Sequence, residues 1–281
     1  MKKVFLTLVL SFISLCCVAQ GEKKWASSDY DFVLYLIDND LKQDALFLLN
    51  NSSYHPSDTL DFLRGWTDYF LKDLPGALES FSKLDTCSPF YEKALFYSVA
   101  MDAHLGRYDS ALSRLSSYKG PKKELESLQG AGLALLRDDP EGFSRSSQNF
   151  TFSDQALYEP EKILSDIYKK RYETPQKSPL LAAAASAVVP GLGKIYAGRT
   201  GEGVSSFLIT GALGAITAEH WIKDGPKDWK TIVSGLACAV FYIGNIYGSY
   251  VSVSISNQNL RDAQETVILY NIHIPLRSVF N

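Results

Sequence analysis

Cysteine is scarce, with four in 281 residues, too few to build a disulfide scaffold. Cys87 and Cys238 have no His or Cys beside them at metal-ligand spacing. A surplus of charge is also missing. The 28 Lys and Arg face 31 Asp and Glu, for a formal net charge of −3. Without basic excess, nothing neutralises phosphates, which argues against a nucleic-acid binder. A hydrophobic share of 46% and a charged share of 21% exclude a disordered chain. β-branched residues are sparse between about Ser28 and Tyr172, so strands are not expected there. The four histidines, His55, His104, His220 and His273, are scattered, and no His-Glu-x-x-His or Gly-x-Ser-x-Gly occurs. His220 and Asp224 share a helix spacing at a segment end, as interfacial residues do. No catalytic, cofactor or metal constellation emerges. The expectation is a non-enzymatic protein without a cofactor.

Residues 1–20 carry a different signal. Lys2 and Lys3 precede an apolar run from Val4 to Val18, and Cys17-Val18-Ala19 places small residues before Gln20. This is the pattern of a secretory signal peptide, residues 1–19, cut after Ala19. Its core of about 15 residues is short of the roughly 20 that span a bilayer. Cys16 follows Leu15 and Cys17 follows Cys16, so neither has the small preceding residue that lipidation favours.

Residues 20–174 are polar and net acidic, with apolar residues at helical spacing: Phe32 and Leu36; Phe62, Trp66 and Phe70; Leu95 and Val99. Three stretches align on Ala45, Ala77 and Ala111, spaced 32 and 34 residues apart and each followed by Leu. Gly65 lies 12 before Ala77, Phe81 four after it and Pro89 twelve after it; Leu115 is the counterpart of Phe81. Small residues let two helices approach, a large one fills their seam, and proline stops the second helix. The pattern resembles the tetratricopeptide repeat, with a fourth, degenerate unit over 125–143. Val99 and Lys123 depart from it, where a small residue and a proline would stand. The resemblance implies stacked helical hairpins with a concave face that binds a protein partner. A helix over Pro160–Arg171 is expected to cap the array or to lead into the membrane part.

Residues 175–179 form a Pro/Ser/Lys linker, and the composition then changes. Residues 178–193, 203–218 and 231–256 carry no charge. Two spans are predicted within a membrane domain of residues 180–256: about 204–222 and 232–253, each roughly 30 Å long. Trp221, Trp229, Tyr247 and Tyr250 stand near their ends, as interfacial aromatics do. The loop Lys223 to Lys230, with three lysines and two aspartates, is expected to face the cytoplasm. A signal peptide puts the preceding domain outside, so the two signals agree.

Before the first span stands Pro190-Gly191-Leu-Gly193-Lys194-Ile-Tyr196-Ala-Gly198-Arg199, then Gly201 and Gly203. A Walker A loop fails, because Val188 and Ile195 occupy its Gly and Ser/Thr positions; a dinucleotide fingerprint fails at Tyr196. The residues Pro190, Gly191, Gly193, Tyr196, Gly198, Arg199 and Gly203 resemble the Pro-Gly-x-Gly-x-x-Tyr-x-Gly motif of small bacterial domains with two transmembrane helices. That resemblance covers about residues 180–256 and implies architecture, not an activity. The acidic turn motif of some members is reduced here to Lys223-Asp224-Gly225. Residues 180–189 are predicted as an interfacial helix. Gly244 and Gly248 form Gly-x-x-x-Gly, a close-packing or dimer face. The tail, residues 257–281, begins as a polar helical extension and ends in an apolar stretch expected to form a short strand or surface anchor.

The fold class expected is thus all-α, a tetratricopeptide-like array followed by a transmembrane helical hairpin. The expected role is a scaffold or assembly factor of the bacterial inner membrane. Its repeats would lie on the periplasmic side and recruit a protein partner. An oligomeric transport or membrane-insertion component, with the repeats as a regulatory cap, is the alternative.

Overall fold

A computed structural model describes residues 27–51 and 57–280. The expected signal peptide, Cys16, Cys17 and His55 lie outside the described residues. Those residues are helical, with no strand among them, and helices follow one another along the chain. They are α1 (Ser27–Asp38), α2 (Lys42–Asn51), α3 (Asp58–Phe70), α4 (Leu74–Phe81), α5 (Tyr91–His104), α6 (Tyr108–Ser117), α7 (Lys123–Leu136), α8 (Pro140–Ser147) and α9 (Tyr158–Tyr168). After a π-helical turn, Lys169–Glu173, come α10 (Pro179–Val188), α11 (Leu192–Tyr196), α12 (Thr200–Asp224), α13 (Trp229–His273) and α14 (Pro275–Val279). The described residues form two compact units: those up to Glu161 together with those from Asn271 onward, and Lys162–Tyr270.

The first unit contains four helical hairpins, α1/α2 through α7/α8. Their turns share one geometry. Asp40, Lys72, Gly106 and Asp138 take positive φ of 64°, 65°, 71° and 56°. They recur at spacings of 32, 34 and 32 residues. Each ends the first helix of its hairpin in a left-handed residue, and the amide after it bonds back five residues: Leu41 to Leu36, Asp73 to Asp68, Arg107 to Asp102, Asp139 to Ala134. This closure satisfies carbonyls that a helix end leaves orphaned. In the second and fourth hairpins the second helix then starts on a carboxylate cap. The carboxylates of Asp73 and Asp139 accept from the Gly76 and Gly142 amides at 3.1 and 2.8 Å.

The packing follows the sequence pattern. Ala45, Ala77 and Ala111 are fully buried, and Phe81 and Leu115 are nearly so. A Cβ on Gly65 would stand 2.6 Å from the Phe81 ring, so glycine there is what seats the large residue. Val99, the departure from the pattern, is itself fully buried. Pro89 does not stop α4, which ends at Phe81; it lies in the turn before α5. The capping role belongs to the left-handed turns and carboxylates instead. Inside the third hairpin the buried Asp102 carboxylate accepts from Arg114 Nε at 2.8 Å and Ser110 Oγ at 3.0 Å. That pairing lets a charge sit in the core.

The second unit is organised along α13. This helix has 45 residues, so it is about 67 Å long. α10 runs antiparallel to it. Asn257 donates to the Lys177 carbonyl at 2.9 Å, the hydroxyls of Ser186 and Ser249 share a bond of 2.7 Å, and the Tyr242 hydroxyl reaches the Ala187 carbonyl. α12 also runs antiparallel to α13. Thr231 Oγ1 donates to the Gly225 carbonyl at 3.0 Å, and Gly235 faces the Thr217 methyl at 3.5 Å. One helical stretch among the described residues, Trp229–Val279, is long and apolar enough to cross a membrane, with 11% of its apolar window buried. Outside those contacts the apolar side chains of α12 and α13 point outward: Leu208, Leu236, Val240 and Ile243 are each more than 60% exposed.

Candidate functional site

Two built features stand out, one in each unit. In the first unit, the face formed by the leading helices α3, α5 and α7 is filled by the chain's own residues 271–280. Ile272 and Leu276 are fully buried there. The expectation for this segment was a strand or surface anchor. It is helical, because Pro275 starts the new turn α14 and the apolar residues at 272 and 276 share one helix face.

Polar groups fix the segment as well. Gln129 on α7 donates from Nε2 to the Phe96 carbonyl at 3.0 Å and to the Ile272 carbonyl at 3.2 Å. Gln129 is fully buried, so it ties a helix of the array to the backbone of the docked segment. Tyr69 and His273 Nε2 share a hydrogen bond of 2.6 Å. The His273 ring lies edge-on to Tyr97 at 5.9 Å and to His104 at 5.3 Å. Lys93 Nζ donates to the Phe280 carbonyl at 3.4 Å, and Phe280 meets the Phe96 ring at 5.9 Å.

The electrostatics suit a neutral centre. Burial, with His104 and Arg277 nearby, pushes the His273 pKa down to about 4. Burial also lowers the pKa of His104 and pushes Tyr97 up to about 12. Both imidazoles are thus uncharged at neutral pH, as their surroundings require. Elsewhere in the array, burial beside Asp73 and Glu79 pushes Asp68 up to about 6. Among the described residues no three His, Cys, Asp or Glu side chains gather as metal ligands.

The second feature is the glycine turn before α12. Gly191 has a φ of 88°, and a Cβ on it would stand 2.0 Å from the Gly203 carbonyl oxygen. A Cβ on Gly193 would stand 2.0 Å from the Ala182 carbonyl oxygen, and one on Gly203 would strike Ile195 and the Gly191 carbonyl. Three of the motif glycines are therefore places where backbone crosses backbone. Gly198 has a φ of 95° and closes α11. The Tyr196 hydroxyl accepts from the Ser178 amide at 3.1 Å, which ties the motif to the start of α10. Ser186 Oγ accepts from the Gly193 amide at 2.8 Å, satisfying a buried donor. Pro190 precedes the turn, and Arg199 forms an exposed pair with Glu202 at 3.4 Å.

The Gly-x-x-x-Gly pair is used unequally. Gly248 lies against the Lys194 stem at 3.5 Å, while Gly244 meets nothing within 4 Å. His220 and Asp224 do meet, Nδ1 to Oδ2 at 2.9 Å, on an exposed helix end. The residues that sequence reasoning passed over are Gln129, His273 and Leu276 in the groove and Asn245 beside the turn. The apolar content of residues 267–276 was the available signal for the groove. Comparison of the chain with protein-family models, with curated proteins and with solved structures gives no match.

Proposed function

We propose that this chain is a non-enzymatic membrane protein of the bacterial envelope. A tetratricopeptide-like domain, displayed on the periplasmic side of the cytoplasmic membrane, serves as a protein-interaction scaffold or assembly factor. A hairpin of α12 and α13 anchors it. The observation that carries the anchor is the composition of the first unit. Residues before and after the apolar helices belong to one folded body. The chain between them must then cross a bilayer an even number of times. If α13 crosses, α12 crosses with it, although α12 is richer in Gly, Ser and Thr. At 25 residues α12 is about 37 Å long, enough for a span. The lysine-bearing loop at residues 223–230 then faces the cytoplasm, in line with the positive-inside tendency.

The scaffold role is supported by what the groove already does. It grips a short helical segment through its apolar side chains and through the backbone carbonyls of Ile272 and Phe280, which is how a peptide is held. Here the gripped segment is the chain's own.

Membrane-impermeant maleimide on intact, outer-membrane-permeabilised cells tests the topology. Cys87 is exposed in the repeat unit and is expected to label. A cysteine placed at Lys227 is expected to be protected until the inner membrane is opened. Labelling of residue 227 from outside overturns the topology. Photocrosslinkers on the outer faces of α2 and α6 are expected to capture one recurrent envelope protein. The absence of any recurrent adduct argues against scaffolding.

A further inference from the structure

Beside the glycine turn, the second unit contains a cleft of about 350 Å³ between α11, α12 and α13. Its polar end is Lys194, Ser206 and Asn245; its apolar flank includes Ile209, Val240 and Phe241. Lys194 Nζ donates to Ser206 Oγ at 2.8 Å. Among the described residues no carboxylate pairs with it. A lysine at a membrane hairpin would ordinarily extend its stem toward water. Here the stem lies across the bare backbone of Gly248, which draws the ammonium inward.

Asn245 is 4% exposed, yet both its side-chain nitrogen and its side-chain oxygen lack a hydrogen-bond partner. A buried primary amide left so costs free energy on both atoms, the more so where no water reaches. The space for a partner exists because Gly244 carries no side chain. The Gly-x-x-x-Gly pair therefore opens a site: one glycine admits the lysine and the other leaves room beside the amide.

We propose that this cleft binds the phosphate-ester headgroup of an anionic membrane lipid. Lys194 pairs with a phosphate oxygen, Asn245 donates its amide N–H to another, and an acyl chain lies on Ile209, Val240 and Phe241. The apolar flank is what favours a lipid over a free anion. The inference rests on the membrane reading above.

The test uses the full chain, purified in detergent, stripped of lipid and examined by native mass spectrometry. Phosphatidylglycerol is expected to stay bound at roughly tenfold lower concentration than diacylglycerol, a difference one ion pair can supply. Lys194→Met is expected to remove that preference and Lys194→Arg to restore most of it. Asn245→Leu is expected to weaken retention severalfold while leaving helicity by circular dichroism unchanged. Retention of phosphatidylglycerol by a folded Lys194→Met protein equal to the parent overturns the proposal. So does inorganic phosphate that competes as effectively as the lipid, because the ligand would then be a free anion. Alkaline carbonate extraction of cell membranes reads the anchor separately. A protein that resists extraction but shows no lipid preference refutes this site alone, whereas extraction into the soluble fraction refutes the membrane reading.

Discussion

The two units are helical throughout but are held together by opposite means. In the repeat unit, large apolar side chains are inside: Phe96, Leu128, Leu133 and Leu135 are buried completely. Along α12 and the apolar part of α13, side chains of the same kind, Leu208, Leu236 and Ile243, point outward, and the residues buried between the helices include small and polar ones, Ala182, Ser186, Ser249 and Asn245. Water drives the first arrangement, since burying an apolar side chain gains about 1.5–3 kcal/mol. In lipid that gain vanishes, and close backbone approach with internal hydrogen bonds takes its place. On the membrane reading proposed above, the difference is that of one chain written for two solvents.

Gly193 gives the sharpest way to break the comparison. Gly193→Val is expected to destabilise the second unit by about 3 kcal/mol or more, because its side chain has a carbonyl in its path. Thermal unfolding in detergent, followed by a probe on α12, checks this. Gly201→Ala is the control, since nothing lies within 4 Å of that position. Leu276→Ala attacks the other unit. Its fully buried side chain fills the groove, so a loss of about 2–4 kcal/mol is expected in urea unfolding of the repeat unit. If the second unit's transition moves as well, the two are not separately held.

Acid should discriminate more gently. His273 is neutral when docked, with its pKa near 4 against about 6.5 in an unfolded chain. The unfolded state then binds more protons between those values. Stability is fully present above pH 6.5 and declines as pH falls toward 4, by on the order of 2 kcal/mol. The groups facing the ring are Tyr69, Tyr97, His104 and Arg277. His104→Gln and His273→Gln together are expected to flatten the pH dependence of repeat-unit unfolding. A slope that survives both substitutions assigns the effect elsewhere, and not to Asp68, whose raised pKa adds stability as pH falls. The smallest effect should be a gain. Lys72 sits at φ 65°, where glycine is unstrained, so Lys72→Gly is expected to stabilise its hairpin by about 0.5–1 kcal/mol.

Much of the architecture was legible because it is periodic and local. Ala77, Phe81 and Gly65 announced a close helix pair, and the pair is close. The motif from Pro190 to Gly203 could be recognised as a unit, but not its reason. Which backbone each glycine meets depends on contacts with Ala182 and between 191 and 203 that spacing does not specify. Pro89 misled because proline's inability to continue a helix says nothing of which helix it borders. The apolar tail hinted at burial, but what it packs against was not legible, for a different cause. Gln129 and Ile272 are 143 residues apart, and no periodicity links them.

The placement of residues 271–280 bears on how the protein is made. The ribosome delivers the hairpins first, the apolar helices next and the groove-filling segment after both. If α12 and α13 cross the bilayer as proposed, the groove stays open as an apolar seam until both have crossed and the chain has returned. Chaperones can hold that seam, and proteases can find it. On the membrane reading proposed above, docking of Leu276 would come only after the hairpin is inserted, so closure of the repeat domain would report on insertion.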